Sequence, residues 1–401
     1  MDINYHYFAV KTLAKEAGFE EAPAQTLAAY SQMVDDYNLE KPVKLAQVPD
    51  YARHLAEKTG DGYVFYPATT GFCYWYDTAR LILPARQKAI LTPFHFICRQ
   101  PLNQAAASRD IWRVTPERMS GGGLLAPMLD RARTGYRSVP EGQLKHFALL
   151  RIGQLLHIMA DTYAHQNFSG QHGWENHARL TTVVDNITGQ DITSQFNPGF
   201  YHLAPSVGHA NVSTAPDESR VTFGMSLKRS ENDNYTLLLN RSNTDLFLDC
   251  SLIIINYLFS CRAAPQWNPN SPRWWQFRDR LRQGLMVSGQ DPKRLAEHWG
   301  RIFPENQYHY SAEPLKTLLQ PALQANDPNG LDESAIWDYV QNPNDDRFIM
   351  PLFEVRSEDF FHYNVYAREI VDIVNGQPTQ PVYSEAIRAG LAGYLEHNAA
   401  L

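Results

Sequence analysis

The stretch LLHIMADTYAHQNFSG, residues 155–170, carries His157, Asp161 and His165 at four-residue intervals. In a helix, a four-residue step overshoots one full turn by about 40°, so these three side chains lie along one stripe. Imidazole nitrogens with a carboxylate oxygen are the ligand set of zinc, manganese or iron sites that keep open positions. The stretch therefore predicts a metal-binding helix face, on which Asp161 is placed to bridge two ions.

Two other interpretations of this stretch need no metal. The polar side chains form a solvated helix face, or the histidines are buried and hydrogen-bonded to backbone carbonyls. The triplet adjoins an apolar run that predicts burial, and it places three ligand-type side chains on one line. Metal binding is therefore favoured over both alternatives.

One helix cannot complete the coordination sphere of an ion, so further ligands must come from other segments. The candidates are His and Asp residues flanked by aromatic residues, Pro or Gly, which hold a side chain at the wall of a rigid pocket. They are His6 in INYHYFAV, Asp35 and Asp36 in MVDDYN, His95 in TPFHFI, and His209 with Asp217 in GHANVSTAPD.

The order of these residues resembles the zinc-dependent phospholipase C and single-strand nuclease superfamily. An N-terminal His, an early Asp, a middle His and a helical His-x3-Asp are followed by a further His. The blocks INYHYFAVKTLAKEAGF, SQMVDD, TPFHFI, HIMADTYAHQNFSG and GHANVSTAPD more closely resemble an uncharacterised bacterial family related to zinc metallophospholipases C of Legionella and Pseudomonas type. The resemblance covers scattered blocks in roughly the first 260 residues.

The sequence departs from the superfamily pattern at the second half of the site. His165 follows Asp161 at a shorter spacing than in the superfamily, and no clean copy of a last His-x3-Asp/Glu pair is present. Two sets of residues are candidates for that position: His209 with Asp217, or His172, Glu175 and His177 in HGWENH. In the phospholipases the N-terminal amine also ligates zinc, a role that Met1, Asp2 or Asn4 would take here.

The resemblance implies hydrolysis of a phosphodiester with two to three zinc ions as cofactors. The expected reaction is that of a phospholipase C, which splits a glycerophospholipid into diacylglycerol and a phosphorylated head group. Bound metal would lower the pKa of a water, and Asp35 or Asp36 would orient or deprotonate it as a catalytic carboxylate. The expected metal ligands are His6, Asp36, His95, His157, Asp161, His165, His209 and Asp217.

Two alternatives to a phospholipase C are a single-strand nuclease or phosphatase of the same superfamily, and a non-catalytic metal-binding protein. The net charge is −7, and no run of Lys or Arg forms a phosphate-tracking stripe, so sequence-specific nucleic-acid binding is not expected. The sequence contains neither HExxH nor GxSxG, which removes two common hydrolase classes.

The partner expected from the resemblance is phospholipid, reached by peripheral membrane contact. The longest apolar run, residues 250–261, is shorter than the about 20 residues that span a bilayer, so no transmembrane segment is predicted. The N-terminal residues do not have the pattern of a signal peptide, which predicts a bacterial cytoplasmic protein or one exported by a signal-independent secretion system. The four cysteines predict small buried side chains.

The elements that must position these residues are mostly helical. Apolar periodicity predicts a mainly α protein, and with the resemblance a multi-helix phospholipase C-like bundle with long irregular loops. Residues 1–262 are expected to form the metal-binding core, and residues 263–401 a helical extension packed on it as one unit. The predicted helices are 6–18, 21–34, 143–167, 243–261, 276–300, 331–342 and 380–398, with a loop or short hairpin at 60–85 and a loop at 168–220.

Overall fold

The computed structural model describes residues 1–39, 43–60, 62–71, 82–105, 108–119, 122–196, 205–309 and 358–377. Its helices are α1 (π-helical over Asn4–Ala9, α-helical over Val10–Glu16), α2 (Glu21–Asp36), α3 (α-helical over Pro84–Arg86, π-helical over Gln87–His95), α4 (Leu125–Ser138), α5 (Gln143–Ala164), α6 (Thr193–Phe196), α7 (Asn243–Cys261), α8 (Pro272–Leu285), α9 (Pro292–Ile302) and α10 (Glu358–Asn375). Short 3-10 turns lie at Asp50–Leu55, Arg109–Trp112, Trp174–Asn176 and Ala210–Val212.

Two antiparallel sheets accompany the helices. The first has the strand order β1-β3-β2 and the second the order β4-β5-β6. The strands are β1 (Val43–Leu45), β2 (Ala56–Thr59), β3 (Gly62–Phe65), β4 (Ala178–Asp185), β5 (Val221–Leu227) and β6 (Leu237–Ser242).

The prediction of a mainly α fold is wrong, because the protein is mixed α/β. Strand β4 lies in the stretch predicted to be a loop. The neighbouring Gly, Asn and Ser residues are typical of loops, and the buried positions of β4 do not alternate regularly, so the strand has no clear pattern in the sequence. Strand β5 is buried along nearly its whole length, so it has no period of two by which to recognise it. The β2–β3 hairpin is closer to the expectation: β3 lies within residues 60–85, where a loop or short hairpin is predicted, and β2 lies just before that range.

Helix α5 lies at the centre of the main hydrophobic core. It packs against α2, α4 and α7, and from Leu149 onwards nearly all its residues are buried. At Gly153 the backbone of α2 comes so close that a Cβ atom would lie 2.9 Å from the Leu27 carbonyl oxygen. This close approach brings the last turn of α2 beside the polar stripe of α5.

The ends of α1 and α2 follow local signals in the sequence. Helix α1 ends before Gly18, whose φ of +87° is accessible to glycine at little cost. The Phe19 N–H then donates to the Ala14 carbonyl, the bond that closes a Schellman-type cap. Gly18 thus ends α1, and the chain turns so that α2 packs back along α1.

Helix α7 is the predicted core helix at 243–261. Among the described residues it is the one helix long and apolar enough to cross a membrane by length and composition, and 67% of its most apolar window is buried inside the protein. Cys98, Cys250 and Cys261 are free and buried as predicted, and Cys73 lies outside the described residues.

The described part of the predicted extension packs onto the rest of the chain. Helices α8 and α9 contact the π-helical part of α1, and α10 packs across α3 and α5. The helix predicted at 276–300 is in fact two helices, because α9 starts anew at an Asp291 N-cap followed by Pro292. The helices predicted at 331–342 and 380–398 lie outside the described residues, and the division at residue 262 stays a prediction.

Candidate metal centre

Three groups of His and Asp side chains occur within the described residues, and in each the ligand atoms lie within 4.8 Å of one another. Each group could hold a metal ion, and His157 belongs to the first two. Group 1 is His6, Asp35 and His157; group 2 is His95, His157 and Asp161; group 3 is His165, His209 and Asp217. The groups bring together seven of the eight ligands predicted from the sequence, all except Asp36.

Asp161 joins the groups to one another. Its Oδ1 lies 3.2 Å from His6 Nε2, and its Oδ2 lies 3.2 Å from His95 Nδ1 and 3.3 Å from His157 Nε2. The same oxygen is 3.5 Å from His165 Nδ1, and only 1% of the side chain is exposed. Asp161 therefore has the position expected of a bridging carboxylate.

Two of the histidines come from π-helical segments, which are rare and frequently occur at functional sites. His6 lies inside the π-helical part of α1, and His95 is the last residue of the π-helical part of α3. In α3 the Phe96 N–H donates to the Leu91 carbonyl five residues back, and Pro93 lies inside this turn. The wider turn places His95 opposite α5 at the point where the helix ends.

Backbone carbonyls orient three of the histidines. His95 Nε2 lies 2.8 Å from the Thr70 carbonyl oxygen, and His165 Nδ1 lies 2.6 Å from the His95 carbonyl oxygen. His209 Nδ1 is held in the same way, 2.7 Å from the Ser213 carbonyl oxygen. A carbonyl only accepts, so each of these nitrogens carries the proton, and the other nitrogen of a neutral ring faces the carboxylates with its lone pair. Metal-ligating histidines are commonly oriented in this manner.

The spacing of the polar atoms fits a bound cation. Ligands about 2.0–2.2 Å from a tetrahedral ion are separated by about 3.3–3.6 Å, and the distances from Asp161 to the ring nitrogens of His6, His95 and His157 are 3.2–3.3 Å. Neither ring nitrogen of His6 has a hydrogen-bond partner, and neither does His157 Nδ1, although both side chains are fully buried. Buried polar atoms without partners cost about 1–3 kcal/mol each, and an ion between the groups would satisfy the His6 atom that faces Asp161.

The pKa shifts leave most of these side chains in the form that ligates metal. Burial lowers the pKa of His157 to about 4 and, together with the charge of His157, lowers that of His6 well below its ordinary value. Burial acts to raise the pKa of Asp161, but His165, the Met1 amine and His157 outweigh it and hold that pKa well below its ordinary value. The neutral imidazoles of His6 and His157 thus face an ionised carboxylate.

His95 is shifted in the opposite direction. Burial acts to lower its pKa, but the hydrogen bond and the charge of Asp161, with the charge of Asp35, outweigh burial and raise it. In the absence of metal these carboxylates therefore favour a proton on His95. A metal cation at group 2 would take the place of that proton, which is the usual competition at such sites.

The Met1 amine lies at the junction of groups 2 and 3. It is 2.5 Å from Asp161 Oδ1 and 3.3 Å from Asp217 Oδ1. Burial acts to lower its pKa, but Asp161, Asp217 and Asp35 outweigh burial and raise that pKa to about 11. Of the three residues considered for the amine's role, the side chain of Asn4 points elsewhere and donates to Ser219 Oγ.

The adjacent carboxylates at the end of α2 have different surroundings. Asp35 Oδ1 lies 3.7 Å from His157 Nε2 and 3.8 Å from His95 Nδ1, and 31% of the side chain is exposed. Asp36 accepts a hydrogen bond from Gln32 Nε2 at 3.2 Å and belongs to none of the three groups. The structure therefore places Asp35, and not Asp36, among the candidate ligands.

Group 3 is assembled by Asp217, whose Oδ1 lies 2.9 Å from His165 Nε2 and whose Oδ2 lies 3.3 Å from His209 Nε2. Partly buried Arg241 donates to the carbonyls of Ala164 and Pro216, and so links the end of α5 to the turn that carries Asp217. Burial lowers the pKa of Arg241 to about 9.

The alternative set in HGWENH does not form a metal-binding group among the described residues. Glu175 is fully buried and is held by Arg109, with Nε–Oε2 and Nη2–Oε1 distances of 2.6 and 2.7 Å. Ser169 Oγ donates to the same carboxylate. The geometry therefore favours His209 and Asp217 over His172, Glu175 and His177 as partners of His165.

Sequence reasoning missed the residues that orient the histidines. The carbonyls of Thr70 and Ser213 leave no signal, because every residue has a carbonyl. The choice between Asp35 and Asp36 left no clear signal either, because the residues four and seven positions before each of them are buried in α2.

The model of one protein family, described as a family of unknown function (DUF6765), matches residues 1–376. Its span begins before α1 and ends after α10, so it includes every element of the candidate metal centre. Comparison with curated proteins and with solved structures gave no match.

Proposed function

We propose that this chain, which belongs to the DUF6765 family of unknown function, is a zinc-dependent phosphodiester hydrolase, specifically a phospholipase C that acts on glycerophospholipids. The proposal of a metal centre has its own support in the geometry. The reaction and the choice of zinc rest on the resemblance of the sequence blocks to zinc metallophospholipases C, together with the imidazole and carboxylate ligand set.

One observation carries the proposal. His95, His165 and His209 each use one ring nitrogen on a backbone carbonyl, and each turns the other nitrogen toward the carboxylate of Asp161 or Asp217. If these side chains formed a solvated polar face, or if the histidines were only hydrogen-bonded to carbonyls, their rings would not need to converge on shared carboxylates. Here the other ring nitrogens lie 2.9–3.3 Å from the carboxylate oxygens.

The three groups supply positions for up to three ions, in line with the two to three zinc ions that the resemblance implies. Each group would hold one ion; Asp161 has two oxygens to offer to neighbouring sites, whereas His157 Nε2 has one lone pair and would complete either group 1 or group 2. The Met1 amine, once deprotonated, would be a further nitrogen ligand near Asp161 and Asp217. Asp36 is no longer assigned as a ligand, and Asp35 takes its place.

Zinc bound here would bind phosphate oxygens and lower the pKa of a water molecule. The protein's own contribution is to orient that water and accept its proton. Asp35 is suited to this task because its carboxylate faces both His157 and His95 and is 31% exposed, whereas Asp161 is 1% exposed. Asp161 and the buried histidines would hold their geometry through the reaction, because packing and the carbonyl bonds fix their rings.

The proposal is tested by product analysis of the zinc-loaded protein. Phosphatidylcholine vesicles and single-stranded DNA are offered separately, with the Asp161→Asn variant as the inactive control. We expect diacylglycerol and phosphocholine by mass spectrometry. Release of nucleotides without diacylglycerol would show that the protein is a nuclease and not a phospholipase C. A zinc-loaded protein that cleaves neither substrate nor a chromogenic phosphodiester would make it a non-catalytic metal-binding protein.

A further inference from the structure

We propose that α10 is a positioning element of the metal centre: through Tyr363 and Asn364 it fixes residues 68–71, which in turn hold His95 and the backbone of Asp35. This inference rests on the proposed function only insofar as the three groups bind metal. It gives a role to a helix that lies more than 260 residues from His95 in the sequence. Its consequence is that docking of α10 and metal binding stabilise each other.

The first link runs from α10 to His95 through Thr70. The Tyr363 hydroxyl and Thr70 Oγ1 share a hydrogen bond of 2.7 Å, and the Thr70 carbonyl accepts the His95 Nε2 proton at 2.8 Å. All three side chains are buried. Tyr363 therefore acts on His95 through Thr70, and it sets which ring nitrogen of His95 faces Asp161.

The second link holds the same segment two residues earlier. Asn364 Oδ1 accepts the backbone N–H of Ala68 at 2.7 Å, while its Nδ2 donates to the Tyr37 hydroxyl at 3.0 Å. The Tyr37 carbonyl in turn accepts the backbone N–H of Thr70 and of Gly71. Residues 68–71 are thus fixed between α10 and the chain that leaves α2.

The third link is steric and reaches Asp35. Gly71 packs against the backbone at the end of α2, where a Cβ atom would lie 1.9 Å from the Asp35 carbonyl oxygen. The segment that orients His95 therefore also supports the residue that presents the Asp35 carboxylate. A displacement of residues 68–71 would alter groups 1 and 2 together, and group 3 much less.

Helix α10 is itself held on α5, which carries the ligand stripe. Arg151 donates to both oxygens of Glu369 at 2.7 Å, and Gln154 Nε2 donates to the Tyr363 carbonyl at 3.3 Å. Gln154 lies three residues before His157. Coupling between ligand binding and a conformational change acts equally in both directions. Ions bound at groups 1 and 2 should therefore stabilise the docked position of α10, and undocking of α10 should lower the affinity of these two groups for ions.

The test compares two substitutions on α10 that each remove one phenol hydroxyl. Tyr363→Phe breaks the link to Thr70. Tyr366→Phe is the matched control, because the Tyr366 ring packs under Arg151 and is retained. Zinc stoichiometry and affinity of each full-length variant are measured by competition with a chelator. Loss of a direct partner of a ligand costs about 10- to 100-fold in metal affinity. Because Tyr363 acts through Thr70, we expect Tyr363→Phe to lower the affinity for one or two ions by about 10-fold, the lower end of that range, and Tyr366→Phe to bind zinc as the wild type does.

Hydrogen exchange of the wild-type protein provides a second measurement that needs no variant. Zinc should slow exchange of the amides of residues 358–375. Equal zinc affinity in the two variants, together with exchange of α10 that zinc does not change, would overturn the coupling and leave the metal centre intact. A folded wild type that binds no zinc would overturn both the coupling and the proposed function.

Discussion

At the scale of single residues, the two acidic side chains of the centre differ in accessibility, and this difference divides their roles. Asp161 is buried and lies within 3.5 Å of four histidines, so its substitution would disturb every group. Asp35 lies at the edge, 31% exposed and 3.7–3.9 Å from His6, His95 and His157. A carboxylate in this second position has room for a water beside it.

The neighbouring Asp36 allows a matched test of Asp35. Asp35→Asn keeps the size of the side chain but removes the charge that would hold metal and accept a proton, so we expect phosphodiester cleavage to fall by at least about 100-fold. Asp36→Asn removes the same charge one residue on, at a side chain that belongs to none of the three groups, and should leave activity within a few-fold of the wild type. Steady-state rates decide the matter. Equal losses in both variants would contradict the assignment.

Much of the site could be predicted at this scale, because ligand chemistry shows in residue types. His157, Asp161 and His165 were predicted from their helical spacing alone. The choice between Asp35 and Asp36 could not be made from residue type, since adjacent residues share their type and flanks and differ only in helical phase. The Thr70 and Tyr363 contacts could not be predicted, because they depend on a tertiary arrangement that brings positions far apart in sequence together.

At the scale of elements, the spacing between α2 and α5 sets the width of the centre. The helices approach closely at Gly153, four residues before His157, where a Cβ atom would lie 2.9 Å from the Leu27 carbonyl oxygen and 2.9 Å from Tyr30 Cβ. Asp35 comes from the end of α2 and His157 from α5, so a wider separation would pull group 1 apart.

Gly153→Ala should therefore damage both stability and metal binding. Overpacking in a well-packed core costs about 1–3 kcal/mol, and we expect a loss of unfolding free energy in that range together with weaker zinc binding. Gly135→Ala on α4 is the control, because nothing lies within 4 Å of the added Cβ. Alanine at a helical position is favoured over glycine by about 0.5–1 kcal/mol. Urea unfolding and zinc titration of both variants measure the difference, and a neutral Gly153→Ala would refute the close-packing account.

The helices of the core were largely predictable and the strands were not. Helices α2, α5 and α7 begin and end within a few residues of the predicted bounds, because long apolar periodicity is a strong signal. Strand β5 is buried along nearly its whole length, and β4 pairs with it through an irregular register between Leu180 and Thr182. Such strands are defined by their partners, which the sequence does not show.

At the scale of the whole molecule, α10 connects the end of the described chain to the core through buried aromatic contacts. The His362 ring stacks on Phe147 with a centroid distance of 3.7 Å and on Tyr51 at 4.7 Å. Neither of its ring nitrogens has a hydrogen-bond partner. Burial lowers the pKa of His362 to about 3; Asp359 acts to raise it and His146 to lower it.

The depressed pKa of His362 predicts that acid weakens the fold. The ordinary pKa of histidine is about 6.5, so as the pH falls from about 6.5 towards 3 the unfolded chain binds a proton that the folded chain does not. Stability is therefore lost over that range. We expect the urea midpoint to fall between pH 7 and pH 5 in the presence of EDTA, and to fall less in His362→Phe, which keeps the stacked ring.

The EDTA condition removes metal binding from this comparison, and the other histidines of the chain are common to both proteins. The same loss of midpoint in His362→Phe and in the wild type would show that His362 remains accessible to protons in the folded state. That result would contradict the burial of this ring between Phe147 and Tyr51.

The central claim is that the three His and Asp groups form a metal centre, and metal analysis of the purified protein tests it most directly. After dialysis against zinc and removal of free ions, the wild type should retain about two to three zinc ions per chain. Asp161→Asn, which removes the charge shared by the groups, should retain fewer than one, while Asp36→Asn should match the wild type. A folded wild-type protein that retains no metal would contradict the account.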